Sequence, residues 1–152
     1  MIINDCVDIA LVLKADGVHL GQTDMPAEAA RRLLGPQAII GFSTHNLEQA
    51  KRAAALPVDY LAFGPIFPTS TKENPDPITG LDALREISAL KGSIPLVAIG
   101  GISFETGIKV LESGADALAL IAELVADSSL IAQNTSRMLA LTSVAPNTSS
   151  PR

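Results

Sequence analysis

The chain has 152 residues, 47% of them apolar, 3% aromatic and 18% charged, with a net charge of −5 and no Trp. One domain with a core of Ala, Val, Ile and Leu is expected, which suits parallel strands beneath helices. The acidic balance excludes a nucleic-acid partner held by bulk electrostatics. The single cysteine, Cys6, excludes an intrachain disulfide and a zinc site built on several thiolates, and it is expected to be an apolar filler. The first residues do not form a signal segment, and there is no apolar run of about twenty residues. A cytoplasmic protein with no membrane partner is therefore expected.

In chain order, short apolar runs alternate with amphipathic ones. Residues 1–4 read as the end of a strand and 7–14 as a helix with Val7, Ala10, Leu11 and Lys14 at helical spacing. A strand is expected over 17–20. The helix over 26–34 has Pro26 in its first turn and Gly35-Pro36 as its stop. A strand over 38–42 precedes a helix over 47–56, capped by Asn46 with Gln49 three residues on. Tyr60 to Phe63 is a strand, and a long loop runs from Gly64 to Thr79. A helix over 81–90, a strand over 95–99, a helix from Ser103 to about Ser113, a strand over 117–121 and a last helix over 130–141 complete the pattern. Residues 143–152, rich in Pro, Asn, Thr and Ser, read as a disordered tail after a barrel domain over 1–142.

Alternating elements imply a parallel sheet with right-handed crossovers. No Gly-x-Gly-x-x-Gly follows the first strand, which disfavours a dinucleotide fold. Polar residues instead recur after the strands: Asn4-Asp5, Gln22 and Asp24, Ser43-Thr44-His45, Thr69 to Lys72, and Gly100-Gly101. That is the layout of a TIM-type (β/α) barrel, whose site gathers at the C-terminal ends of its strands. Only six of the eight β/α units are present, and the first two are expected to lie before Met1. Open sheet edges then invite self-association or a complementing chain.

Each candidate has two readings. Asp5 and Asp24 are N-caps or metal ligands. Carboxylates on neighbouring parallel strands, about 4.8 Å apart, reach one ion, and an oxygen donor set shared with phosphates suits Mg²⁺. Ser43 makes either a turn bond or an anion contact. His45 and His19 are expected to be solvated or packed. Thr69, Thr71 and Lys72 form either an ordinary polar loop or a phosphate cradle. Gly100-Gly101 is a sharp turn or a close backbone approach to a phosphate at the start of the Ser103 helix.

The series Ile2-Ile3-Asn4-Asp5, Gly17-Val18-His19-Leu20-Gly21-Gln22-x-Asp24, Gly41-Phe42-Ser43-Thr44-His45, Gly64-Pro65-Ile66-Phe67-Pro68-Thr69-x-Thr71-Lys72 and Ala98-Ile99-Gly100-Gly101-Ile102 resembles the thiamine-phosphate synthase family. The resemblance implies a transferase of thiamine biosynthesis on a (β/α)₈ barrel. Such an enzyme joins hydroxymethylpyrimidine pyrophosphate to hydroxyethylthiazole phosphate and releases pyrophosphate. It also implies Asp5 and Asp24 as Mg²⁺ ligands, Asn4 and Lys72 on the pyrophosphate, and Ser43 beside pyrophosphate and pyrimidine. Thr69 and Thr71 would hold the thiazole phosphate, with Gly100, Gly101 and Ala122 offering it backbone amides. His19 and Gln22 would shape the pocket.

Two departures from the family pattern stand out. Ala122 and Glu123 occupy a place where the family usually has a Ser, so the hydroxyl is missing and a carboxylate is near. The family's Gln-x-Arg-x-Lys segment is absent, which leads us to expect poor activity from the isolated chain. A thiazole tautomerase and an inactive phosphate-binding barrel fragment are the competing readings.

Overall fold

The computed structural model describes residues 1–71 and 76–144. The apolar runs form six strands: β1 (Ile2–Asn4), β2 (Gly17–Leu20), β3 (Ile39–Thr44), β4 (Tyr60–Phe63), β5 (Leu96–Ile99) and β6 (Ala117–Ala119). Between and after them lie α1 (Val7–Leu13), α2 (Ala27–Leu34), α3 (Leu47–Ala53), α4 (Gly80–Leu90), α5 (Gly107–Glu112), α6 (Ala122–Val125) and α7 (Ile131–Val144). Among the described residues the strands pair only with their sequence neighbours, all parallel, in the order β1 to β6. This sequential all-parallel order is that of a barrel wall, as expected from the alternation of elements.

Local chemistry sets the element ends. Pro26 occupies the N-cap position of α2, where a missing N–H is harmless, and Gly35 stops the helix. Asn46 accepts from the Gln49 N–H at 2.9 Å, and Gln49 Oε1 in turn accepts from the His45 N–H at 2.7 Å. The expected reciprocal cap is therefore present, displaced by one residue on its return arm.

Packing follows strand alternation. Val18, Leu20, Ile40, Leu61, Phe63, Leu96 and Ala98 are buried against Ala10, Ala30, Ala50, Leu84, Ile87 and Val110 of the helices. The residues between them in the strands face the other way. There Ile39 and Ile99 remain 42% and 37% exposed. Helices thus cover one face, as expected, and the other face of the sheet is partly open to solvent.

A repeated device fixes the N-terminal ends of alternate strands. Asp59, just before β4, accepts the Ile40 N–H at 2.7 Å and Arg31 Nη2 at 2.6 Å. Asp116, just before β6, accepts the Leu96 N–H at 2.7 Å and Lys91 Nζ at 2.6 Å. Asp59 and Asp116 thus fix the register with the preceding strand by satisfying an N–H that the ladder leaves unpaired.

Several boundaries are corrected. β3 runs to Thr44 rather than residue 42, because Thr44 is wholly buried and donates to the Ala62 carbonyl at 2.9 Å. α5 begins at Gly107, not Ser103; Ser103 instead opens a turn, its N–H donating to Thr106 Oγ1 at 2.9 Å. β6 ends at Ala119, and Ala122 lies in the short α6. Cys6 is exposed, at the N-cap position of α1, and is not a core filler. α7 extends to Val144, and residues 145–152 of the expected tail lie outside the described residues.

Candidate functional site

Because the strands are parallel, everything that follows a strand collects on one rim. Asp5 follows β1 directly in a left-handed conformation (φ 62°), fixed by donation of its N–H to the His19 carbonyl at 2.8 Å. Short polar residues tolerate that conformation best among non-glycines. Asp24 sits in the turn after β2, where its Oδ2 accepts the Gly21 N–H at 2.6 Å. Neither acid caps a helix: the N-cap positions of α1 and α2 are Cys6 and Pro26. Desolvation, then the like charge of Asp24 and a side-chain hydrogen bond to it, push the Asp5 carboxyl above its ordinary value. A pair of carboxylates that resist joint ionisation is a donor set that a divalent cation relieves, so these residues fit Mg²⁺. Among the described residues no third His, Cys, Asp or Glu joins them. A cation there would complete its shell with other oxygens, such as phosphate or water.

Beside the acids, Ser43 projects from β3 into a polar network. His19 of β2 places Nε2 2.8 Å from Ser43 Oγ and Nδ1 2.9 Å from the Tyr60 hydroxyl of β4. Gln22 Nε2 donates to the Ser43 carbonyl at 2.5 Å. Ser43 is therefore held at its side chain and its backbone by β2 and the turn after it. Burial lowers the His19 pKa against the opposing field of Asp24, and burial raises that of the Tyr60 phenol. At neutral pH both groups are uncharged. Sequence reasoning assigned His19 and Gln22 only to pocket shape and overlooked Tyr60. The pattern that betrays them is His19, Gly41 and Tyr60 at one register level across three strands.

The third part of the rim is the loop after β4. Its start is bound to β5 by donation of the Ile66 and Phe67 N–H groups to the Ile99 and Gly100 carbonyls at 2.9 and 3.0 Å. Ile66 is fully buried. Gly100 and Gly101 have φ of 96° and 64°. A Cβ on Gly100 would stand 2.5 Å from Pro65 Cβ, and one on Gly101 would stand 2.3 Å from the Pro68 carbonyl oxygen. The glycine pair thus provides the close backbone approach expected of it, but to the loop itself. Thr69 is half-buried and Thr71 exposed, and Thr69 Oγ1 accepts the Thr71 N–H at 3.3 Å. Lys72 lies outside the described residues.

His45, read from sequence as solvated or packed, is a tether. Its Nδ1–H donates to the Gly64 carbonyl at 2.7 Å, and its Nε2 lies 3.6 Å from Asp76. Asn4 ends β1, one residue before Asp5. Glu123 is turned into the protein: its Oε1 accepts the Phe104 N–H at 2.9 Å. Its carboxylate is thereby engaged, while Ala122 sits at the start of α6.

This rim joins two carboxylates, a clamped serine and a threonine loop seated on a Gly-Gly turn. The family model described as thiamine monophosphate synthase matches residues 1–124. The thiamine-phosphate synthase of Koribacter versatilis (strain Ellin345) is 50% identical over 127 residues, 84% of this chain and 60% of the relative. That of Chlorobium phaeovibrioides (strain DSM 265 / 1930) is 52% identical over 120 residues, 79% of this chain and 57% of the relative. The solved thiamine phosphate pyrophosphorylase from Pyrococcus furiosus superposes with a TM-score of 0.83 at 36% identity, covering 95% of this chain and 68% of that one. The chain spans about 60% of the length of the curated relatives it matches. It belongs to the thiamine monophosphate synthase family.

Proposed function

We propose that this chain carries most of the site of a thiamine-phosphate synthase, which joins hydroxymethylpyrimidine pyrophosphate and hydroxyethylthiazole phosphate into thiamine phosphate and pyrophosphate. The carrying observation is the placement of Asp5 and Asp24 after adjacent parallel strands, one strand from the clamped hydroxyl of Ser43. The reaction needs a leaving pyrophosphate stabilised, a nucleophile held in line and water excluded. Such a site works by position and charge and needs no nucleophile–base pair.

In this proposal Asp5 and Asp24 hold Mg²⁺, which when bound offsets the charge of the pyrophosphate. Asn4, Ser43 and Lys72 donate to the pyrophosphate, with Ser43 also bordering the pyrimidine ring. As the bond from pyrophosphate oxygen to the pyrimidine methylene breaks, its electron pair leaves with pyrophosphate. The thiazole nitrogen then supplies the pair for the new bond to the methylene carbon. Thr69, Thr71 and the backbone amides of Gly100, Gly101 and Ala122 fix the thiazole by its phosphate. The engagement of Glu123 by Phe104 supports this, because it keeps the carboxylate off the anion.

Two further β/α units on the β1 edge would complete an eight-stranded barrel and supply the remaining grip on the pyrimidine. The relatives' greater length supports this part. Without such units, the β1 and β6 edges would favour self-association or a complementing chain. No described helix is long and apolar enough to cross a membrane, and we place the enzyme in the cytoplasm as part of the same proposal.

The test supplies both substrates and Mg²⁺ and follows thiamine phosphate, using this chain alone and a version extended by two β/α units. Product from the extended version, with little from the chain alone, is the expected result. No product from either would overturn the proposed activity.

A further inference from the structure

Ser43 is the end of a chain of hydrogen bonds whose direction can be worked out. At pH 8 an imidazole is neutral, so one ring nitrogen donates and the other accepts. Nδ1 faces the Tyr60 phenol at 2.9 Å, and Nε2 faces the Ser43 hydroxyl at 2.8 Å. A phenol, with a pKa near 10, is a much stronger acid than a serine hydroxyl and is the better donor to an imidazole nitrogen. The favoured direction is therefore Tyr60 O–H to Nδ1, then Nε2–H to Ser43 Oγ. With an Oγ lone pair occupied by His19, the Ser43 proton is left to point elsewhere, toward the rim shared with Asp5 and Asp24.

We infer that Tyr60 and His19 are positioning residues that set Ser43 as a hydrogen-bond donor toward an anionic oxygen of the bound pyrophosphate. This rests on the function proposed above. The geometry is built for it. Gly41 lies at one register level with His19 and Tyr60, and a Cβ on it would stand 2.1 Å from Tyr60 Cζ and 2.5 Å from His19 Nδ1. Only an absent side chain lets groups two strands apart meet. The rings stack with centroids 5.5 Å apart and planes inclined by 26°, which limits rotation of the imidazole. Gln22 holds the Ser43 backbone from the other side. The reverse direction, with Ser43 donating to Nε2, would present only lone pairs to the ligand and repel an anion.

The direction can be read without any substrate. The chain has two histidines, and the Nδ1–H of His45 donates to a carbonyl, which gives an internal contrast. In ¹⁵N-histidine-labelled protein at pH 8, long-range ¹H–¹⁵N spectra should show His19 with its proton on Nε2. Tyr60→Phe should shift the ring toward the Nδ1–H tautomer, and Ser43→Ala should leave it unchanged. An Nδ1–H tautomer in the wild-type chain, or no change in Tyr60→Phe, overturns the inference. If Tyr60→Phe does not fold, Ser43→Ala still decides, because a tautomer change there would make Ser43 the controlling group.

A second arm titrates inorganic pyrophosphate with Mg²⁺ by calorimetry. Tyr60→Phe and Ser43→Ala should each weaken binding about tenfold, the worth of one hydrogen bond to a charged group. The double variant should lose no more than either single one. Wild-type affinity in Tyr60→Phe beside a weakened Ser43→Ala overturns the relay. Absence of pyrophosphate binding in the wild-type chain, with the expected tautomer, overturns the proposed ligand while the direction of the hydrogen bonds stands.

Discussion

Tyr60 reaches His19 across the bare backbone of Gly41: the phenol oxygen lies 2.9 Å from Nδ1, although β3 runs between the two strands that carry them. Side chains two strands apart normally meet the side chain between them. Here glycine at the middle position turns a gap in the concave face into a contact, and Ser43, two residues on, inherits its orientation from it.

Gly41→Ala should therefore be costly although the change is one methyl group in a strand. The new Cβ would fall 2.1 Å from Tyr60 Cζ. We expect a loss of about 1–3 kcal/mol, the usual cost of overpacking, read as a lower urea midpoint. The double variant Gly41→Ala, Tyr60→Phe should recover little, since the ring remains in the way. An unchanged midpoint in Gly41→Ala would show that the rings can move aside.

Acid should weaken the fold through His19. Burial lowers its pKa in the folded chain below the ordinary 6.5, against the raising field of Asp24. As pH falls through 6.5 the unfolded chain takes up the proton first, and stability is lost down to the depressed folded value. Above 6.5 the contribution is complete. Urea midpoints at pH 8 and pH 5.5 should differ more for the wild-type chain than for His19→Gln. Equal differences would refute the assignment to His19.

The acid pair gives the opposite sign. The Asp5 pKa is raised above the ordinary 3.8 by desolvation and by Asp24, so stability is lost as pH rises from 3.8 through the raised value. At pH 7 without divalent cations, Asp5→Asn should raise stability, by at most about 0.5 kcal/mol given solvent screening. It should also keep the left-handed backbone that Asn tolerates. Mg²⁺ should raise the thermal midpoint of the wild-type chain and leave that of Asp5→Asn unchanged. Equal Mg²⁺ responses would remove Asp5 from the proposed metal site.

Gly101 and Gly92 separate packing from conformation. Both have φ near 60°, but a Cβ on Gly92 meets nothing within 4 Å, whereas one on Gly101 would stand 2.3 Å from the Pro68 carbonyl oxygen. Gly92→Ala should cost only the left-handed penalty of about 1 kcal/mol. Gly101→Ala should cost that and about 1–3 kcal/mol more for displacing the loop. Chemical denaturation of the two variants measures the difference, and equal losses would mean that the loop yields freely.

The sequence by itself determined the alternation of elements and the parallel sheet, and it put Asp5, Asp24, Ser43 and Gly100 at strand ends. These follow from local pattern: apolar runs of strand length, caps such as Asn46, stops such as Gly35, and polar residues after each strand. It also placed Asp5 beside Asp24, since adjacent strands of one direction bring their ends together. Only the tertiary structure decided what each rim residue touches. His19 and Tyr60 are 41 positions apart, and their contact depends on the register of three strands and on the missing Cβ of Gly41. The same holds for Glu123, whose carboxylate turns inward because the Phe104 N–H is there to receive it. It holds again for Gly100-Gly101, whose close approach is to Pro65 and Pro68. Periodicity reports which face a residue occupies, and the partner on that face is fixed only when the strands and loops have packed.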